Sequence, residues 1–209
     1  MGRRLSTLAA LRDLVTPLLA RQDRVLLGIA GPPGAGKSTA ARTLTESLSG
    51  APFAVTVPMD GFHLSNVELF RLGLADRKGA PETFDPAGFA HLLRRIRAGE
   101  DLVYAPAYSR SVHESLGGVI PVYAATRLIV VEGNYLLLRT DHWAALAGLF
   151  DLTVYLDADP VERVAGLVER QLSFGLSERE ALDWVHRSDE ANARLVEASR
   201  GYADVVLSR

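Results

Sequence analysis

The chain has 209 residues, 48% of them hydrophobic and 23% charged, with a formal charge of −2. This balance excludes a disordered or low-complexity chain and predicts a single domain over 1–209. No global basic field is available to hold a nucleic-acid backbone, and the absence of cysteine excludes a disulfide scaffold, a thiolate zinc site and a cysteine nucleophile.

The most apolar runs, Leu26–Ala30 and Leu128–Val131, fall far short of the ~20 residues a bilayer requires, so no membrane partner is expected. The lack of cysteine fits a cytoplasmic location. The five histidines show neither HExxH nor HxH spacing, which argues against a zinc enzyme.

At the start of the chain, Leu5, Leu8, Leu11, Val15, Leu18 and Leu19 follow helical spacing. They predict an amphipathic N-terminal helix within 1–23, kinked or restarted at Pro17. Five short apolar runs then read as buried parallel strands: Val25–Ala30, Phe53–Pro58, Arg127–Val131, Leu152–Leu156 and Ala203–Leu207. Helical patterns alternate with them, which predicts an α/β fold with helices on both faces of the sheet.

Between the first strand and the helical Thr39–Leu48 stands Gly31-Pro32-Pro33-Gly34-Ala35-Gly36-Lys37-Ser38, the G-x4-G-K-S pattern. Glycines at these positions let backbone N–H groups turn inward around phosphate oxygens, and the following helix directs its positive end at them. Lys37 is expected to reach the β- and γ-phosphates, and the Ser38 hydroxyl to ligate Mg²⁺. The nucleotide-binding set is therefore Gly31 to Thr39. A guanine-reading Asn-Lys-x-Asp is missing, since none of Asn66, Asn134 and Asn192 precedes a lysine.

Asp60 falls 23 residues after Lys37, at the carboxyl end of the second strand, the edge where open α/β sheets bind ligands. A carboxylate there can accept the proton of an attacking hydroxyl. Residues 58–125 are irregular and rich in Gly, Pro and aromatics; they are expected to hold short helices, a hairpin and most of an acceptor site. Further on, Asp159-Pro160 and the Ser177/Glu180 pair read as helix starts, the second helix running to about Arg200. Arg163 and Arg170, seven residues apart, share a helix face. Trp143 and Trp184 are expected in the core.

GPPGAGKST (31–39), MDGFH (59–63), RKGAPETFD (77–85) and VVEGNY (130–135) occur in that order. The set resembles the P-loop kinase family of uridine kinase, phosphoribulokinase and bacterial-type pantothenate kinase, over about Arg24 to Leu207. Its wording is most similar to a bacterial subgroup labelled nucleoside or fructose-transport-system kinases. The resemblance implies a three-layer P-loop fold with five parallel strands in the order 2-3-1-4-5, and a lid over 160–178. It implies ATP and Mg²⁺ as cofactors and a small-molecule hydroxyl acceptor as partner, in a monomer or homodimer.

Carried over by position, Asp60 matches the family's general base. Glu132 lies near Mg²⁺ and the acceptor, as a further catalytic and metal-binding residue. Arg170, with Lys37, stabilises the transferring phosphoryl group, and Arg163 contacts ATP. His63, Lys78, Asp85, Tyr108 and His113 line the acceptor site, Asp85 by meeting acceptor hydroxyls. Ser109 stands where uridine kinases carry Asp, and Glu114-Ser115 where they carry Ser-Arg. A sugar such as fructose therefore leads as acceptor, with a nucleoside or pantothenate as alternatives. A non-catalytic nucleotide-binding regulator or an ATPase is the alternative of another class.

Overall fold

The computed structural model describes residues 3–48 and 54–208. Its elements are strand β1 (Arg3–Leu5), helix α1 (Leu8–Arg21), strand β2 (Val25–Ala30), helix α2 (Lys37–Ser47) and strand β3 (Ala54–Pro58). The irregular region follows with α3 (Asn66–Leu72), α4 (Pro86–Ala98) and the strands β4 (Leu102–Ser109) and β5 (Glu114–Tyr123). Strand β6 (Leu128–Gly133), strand β7 (Leu152–Asp157), helices α5 (Pro160–Ser173), α6 (Glu178–Trp184) and α7 (Glu190–Ala198), and strand β8 (Val205–Ser208) complete the chain.

Among the described residues the main sheet has six strands in the order β1-β8-β7-β2-β6-β3, every neighbouring pair parallel. The five expected strands stand in their expected order, and β1 adds a sixth at the edge, beside β8. This corrects the reading of the first residues as helix. Arg3 to Leu5 pair with Val205 to Leu207, and the helix starts only after Thr7, whose side chain accepts the Ala10 N–H at 3.1 Å. Residues 1–2 of the expected helix, and Phe53 of the expected second strand, lie outside the described residues. Pro17 neither breaks nor restarts α1, which runs through it as one helix.

β2 and β6 are buried along their full length, as strands covered on both faces must be. Leu11, Val15, Ala40, Ala41 and Leu44 of α1 and α2 pack on one face with Leu27 and Ile29. On the other face Leu26 and Val57 meet Phe89, Leu93 and Ile96 of α4, together with Trp143. These two apolar layers hold the carboxyl ends of β2, β3 and β6 side by side: Ile29 and Pro58 both pair with Glu132.

The 58–125 region contains the expected short helices and a hairpin, β4 against β5, with a register shift between Ala105 and Ala107. The bulge puts Pro106 against the turn after β3. A Cβ on Gly61 would sit 2.4 Å from the Pro106 carbonyl oxygen, so only glycine lets the hairpin dock beside Asp60. The long helix expected up to Arg200 is instead three segments: α6, a π-helical turn Val185–Asp189, and α7. A π turn inserts an extra residue and redirects the side chains around it, and such turns recur at functional sites.

Candidate functional site

A cleft of about 730 Å³ opens at the carboxyl edge of the sheet. Its floor is the loop after β2. Gly34 and Gly36 there have φ of 79° and 84°, and a Cβ on Gly34 would come within 2.9 Å of the Arg163 and Leu167 side chains. Glycine is required on both counts, conformation and space. The loop ends in α2, whose first-turn N–H groups face the cleft. Pro33, Gly34, Gly36, Lys37, Ser38 and Thr39 line it; Gly31, Pro32 and Ala35 form the buried back of the same loop.

Lys37 is buried, and its ammonium donates to the Pro32 carbonyl at 3.0 Å. Burial lowers its pKa, while Glu132 and Asp60 act in the opposite sense. Glu132 is buried at the end of β6, and its Oε1 accepts the Ser38 hydroxyl at 2.8 Å. Burial and the nearby Asp60 raise its pKa, against the pull of Lys37. Two carboxylates and an ammonium thus share one corner beside the loop. Asp60 sits in a 3₁₀ turn, Met59–Phe62, directly after β3. Its carbonyl accepts the His63 ring Nδ1 at 2.8 Å, fixing the turn.

The cleft continues from Asp60 into the 58–125 region. The His63 ring packs at a tilt between Phe84 (centroids 4.0 Å apart) and Tyr108 (4.8 Å). Lys78 lies 5.2 Å from the Tyr108 ring centre and donates to the His113 carbonyl at 2.7 Å. His113, at the hairpin tip, meets Phe174 edge-on at 5.9 Å. Phe174 follows α5, so the hairpin tip and the end of α5 face each other across the cleft mouth. His63, Lys78, Tyr108 and His113, four of the five expected acceptor-side residues, line this part.

Two expected site residues outside the glycine-rich loop do not line the cleft. Asp85 does not line the cleft: its carboxylate accepts the Gly88 N–H at 2.8 Å and caps α4, because Asp-Pro at a helix start places the carboxylate over the first-turn N–H groups. Arg163 is buried behind the loop rather than over a nucleotide. It donates to the Pro33 carbonyl at 3.2 Å and pairs with Glu190. Arg170, on the same face of α5, does line the cleft and lies 3.9 Å from Asp189.

Arg110, Asn134, Gln171, Trp184, Asp189 and Asn192 also line the cleft and were missed. Arg110 and Asn134 each stand two residues beyond an expected site residue. Trp184, Asp189 and Asn192 come from the far end of the chain, where the π turn aligns them and no motif marks them. Trp184 is only half-buried, against the expectation of a core position, whereas Trp143 is buried with its indole N–H donated to the Pro81 carbonyl at 3.2 Å.

A parallel sheet, a glycine-rich loop opening a helix, and a buried Lys beside two carboxylates define a P-loop phosphotransferase. The family model "Phosphoribulokinase / Uridine kinase family" matches residues 26–209, and the chain belongs to that family. It is 35% identical over 202 residues to the Schizosaccharomyces pombe protein named "Putative uridine kinase C227.14", covering 92% of this chain and 86% of that one. To a pantothenate kinase of Levilactobacillus brevis it is 36% identical over 166 residues, 76% of this chain but 54% of the relative, so it spans about half of that enzyme. A crystal structure from Silicibacter sp. TM1040, described as a "putative fructose transport system kinase", superposes with a TM-score of 0.90 at 39% identity over 97% of this chain and 99% of that one. The protein is an ATP-dependent phosphotransferase with a hydroxyl acceptor.

Proposed function

We propose that the enzyme phosphorylates a hydroxyl of a small neutral sugar-like molecule. The observation that carries this reading is the cleft itself, which runs unbroken from Lys37 and Ser38, past Asp60 and Glu132, to His63, Lys78, Tyr108 and His113. The acceptor hydroxyl enters from the second end, because in-line displacement puts nucleophile and leaving group on opposite sides of phosphorus. Asp60 takes its proton as the new O–P bond forms and the bond to the β-phosphate oxygen breaks, releasing ADP. Lys37 and Arg170 stabilise the charge on the transferring group.

Mg²⁺ fits the same corner. Ser38 and Glu132 supply hard oxygen donors 2.8 Å apart, and Mg²⁺ takes one or two protein oxygens with phosphates and water completing its shell. When bound, the ion neutralises phosphate charge. A sugar acceptor is supported by the aromatic walls at Tyr108 and Phe84 beside polar Lys78 and Asn134, and by the similarity to the Silicibacter protein. The test is ADP formation by the purified chain with Mg²⁺·ATP and D-fructose, uridine or pantothenate. Turnover with D-fructose above the other two supports the reading; preference for uridine or pantothenate overturns the sugar assignment, and acceptor-independent ADP release overturns kinase activity.

A further inference from the structure

Asp189 is a buried carboxylate, one oxygen of which has no hydrogen-bond partner among the described residues. The residue is 7% exposed and lines the cleft. Its Oδ1 lies 3.9 Å from the Arg170 guanidinium, and its Oδ2 has no hydrogen-bond partner among the described residues. A buried charged oxygen left without a partner is costly. The π turn Val185–Asp189 places this side chain where it is; one residue fewer would rotate it by about 100° away from its present direction.

The surroundings say which ligand group belongs there. One turn later Asn192 donates to the Gly79 carbonyl at 3.2 Å, and Tyr135 donates to the same carbonyl at 2.6 Å. Gly79 belongs to the acceptor-side segment, so the α6–α7 wall is tied to that end of the cleft. A phosphate or carboxylate oxygen carries no proton to give Oδ2 and would add like charge. A cationic donor would have to enter a cleft already holding Lys37, Lys78, Arg110 and Arg170. A neutral donor fits, and on the sugar-like acceptor proposed above that donor is a hydroxyl.

We infer that Asp189 is a specificity-determining residue whose Oδ2 accepts a hydrogen bond from a second, non-reacting hydroxyl of the acceptor. The inference rests on the proposed kinase reading. It makes the preferred acceptor a molecule with at least two hydroxyls, one placed at Asp60 and one at Asp189. Burial raises the Asp189 pKa, against the pull of Arg170 and Arg163.

The test uses the full chain, with wild type, Asp189→Asn and Asp189→Ala compared on whichever of D-fructose, uridine and pantothenate is turned over best. Each is paired with analogues lacking one non-reacting hydroxyl. The expected result is an acceptor KM raised about 10- to 100-fold in both variants, with the ATP KM within about threefold. One deoxy analogue should lose most of its activity on wild type and less than about threefold on Asp189→Ala. Equal deoxy penalties on wild type and variant overturn the inference while leaving kinase activity standing. A fall in kcat alone, or a raised ATP KM alone, overturns it in favour of a role through Arg170 or the nucleotide. No turnover of any of the three compounds overturns the inference together with the reading beneath it. Thermal melting of both variants within a few degrees of wild type keeps loss of folding out of the comparison.

Discussion

The Ser38 hydroxyl donates to Glu132 Oε1 across 2.8 Å, tying the first turn of α2 to the end of β6. The two residues stand 94 positions apart in the chain, and the sheet order alone makes them neighbours. Their pairing holds a hard-oxygen site against the loop. Glu132→Gln keeps the shape and the hydroxyl contact but removes the charge. We expect kcat to fall by roughly 10²–10³ and the Mg²⁺ concentration for half-maximal rate to rise. Initial rates measured against Mg²⁺ at fixed ATP check this. An unchanged Mg²⁺ dependence would remove Glu132 from the metal site.

Asp60→Asn tests the proton acceptor. The turn Met59–Phe62 is held by backbone contacts to His63, so the substitution leaves the local structure in place. A positioned general base contributes about 10²–10⁴-fold, and kcat should drop in that range with the ATP KM nearly constant. Steady-state kinetics with both substrates varied decide it. Weakened ATP binding with unaltered kcat would instead give Asp60 a role at the nucleotide.

For Asp85 the capping contact favours a role in stability over the acceptor contact that the resemblance implies. Its carboxylate caps α4 through the Gly88 N–H, so Asp85→Ala should act on stability. The loss of one N-cap costs about 1 kcal/mol, or a Tm lower by about 2–4 °C for a chain of this size. The acceptor KM should stay within about twofold. A large acceptor effect at unchanged Tm would restore Asp85 to the site.

His63 sets a pH dependence. Its ring is packed between Phe84 and Tyr108, and burial lowers its pKa, although Asp60 pulls the other way. A histidine depressed in the folded state contributes stability above its unfolded pKa of about 6.5. That contribution is lost as pH falls through the depressed folded value. Wild type should therefore lose Tm more steeply below about pH 6.5 than His63→Gln does. Parallel Tm-versus-pH curves for the two proteins would show that His63 carries no such linkage.

Local physical rules were enough for much of this protein. The order Gly31 to Ser38 after an apolar run specifies a phosphate loop because glycine conformations and the helix N-terminus are properties of adjacent residues. The buried strands were legible for the same reason, since continuous apolar runs at that length admit few other placements. The strand order 2-3-1-4-5 came from resemblance, not from spacing, and it holds in the sheet. Three features depended on contacts between distant segments. Arg3 to Leu5 become a strand because β8 offers an open edge, which no local helical pattern reveals. Asp85 and Arg163 carry side chains suited to a ligand, yet nearer partners take them: the Gly88 N–H in one case, Pro33 and Glu190 in the other. Asp189 and Asn192 reach the cleft only because a π turn rotates the last helices toward Gly79. Which polar groups find a protein partner and which face a ligand is settled by packing across the whole chain, and sequence spacing carries no record of it.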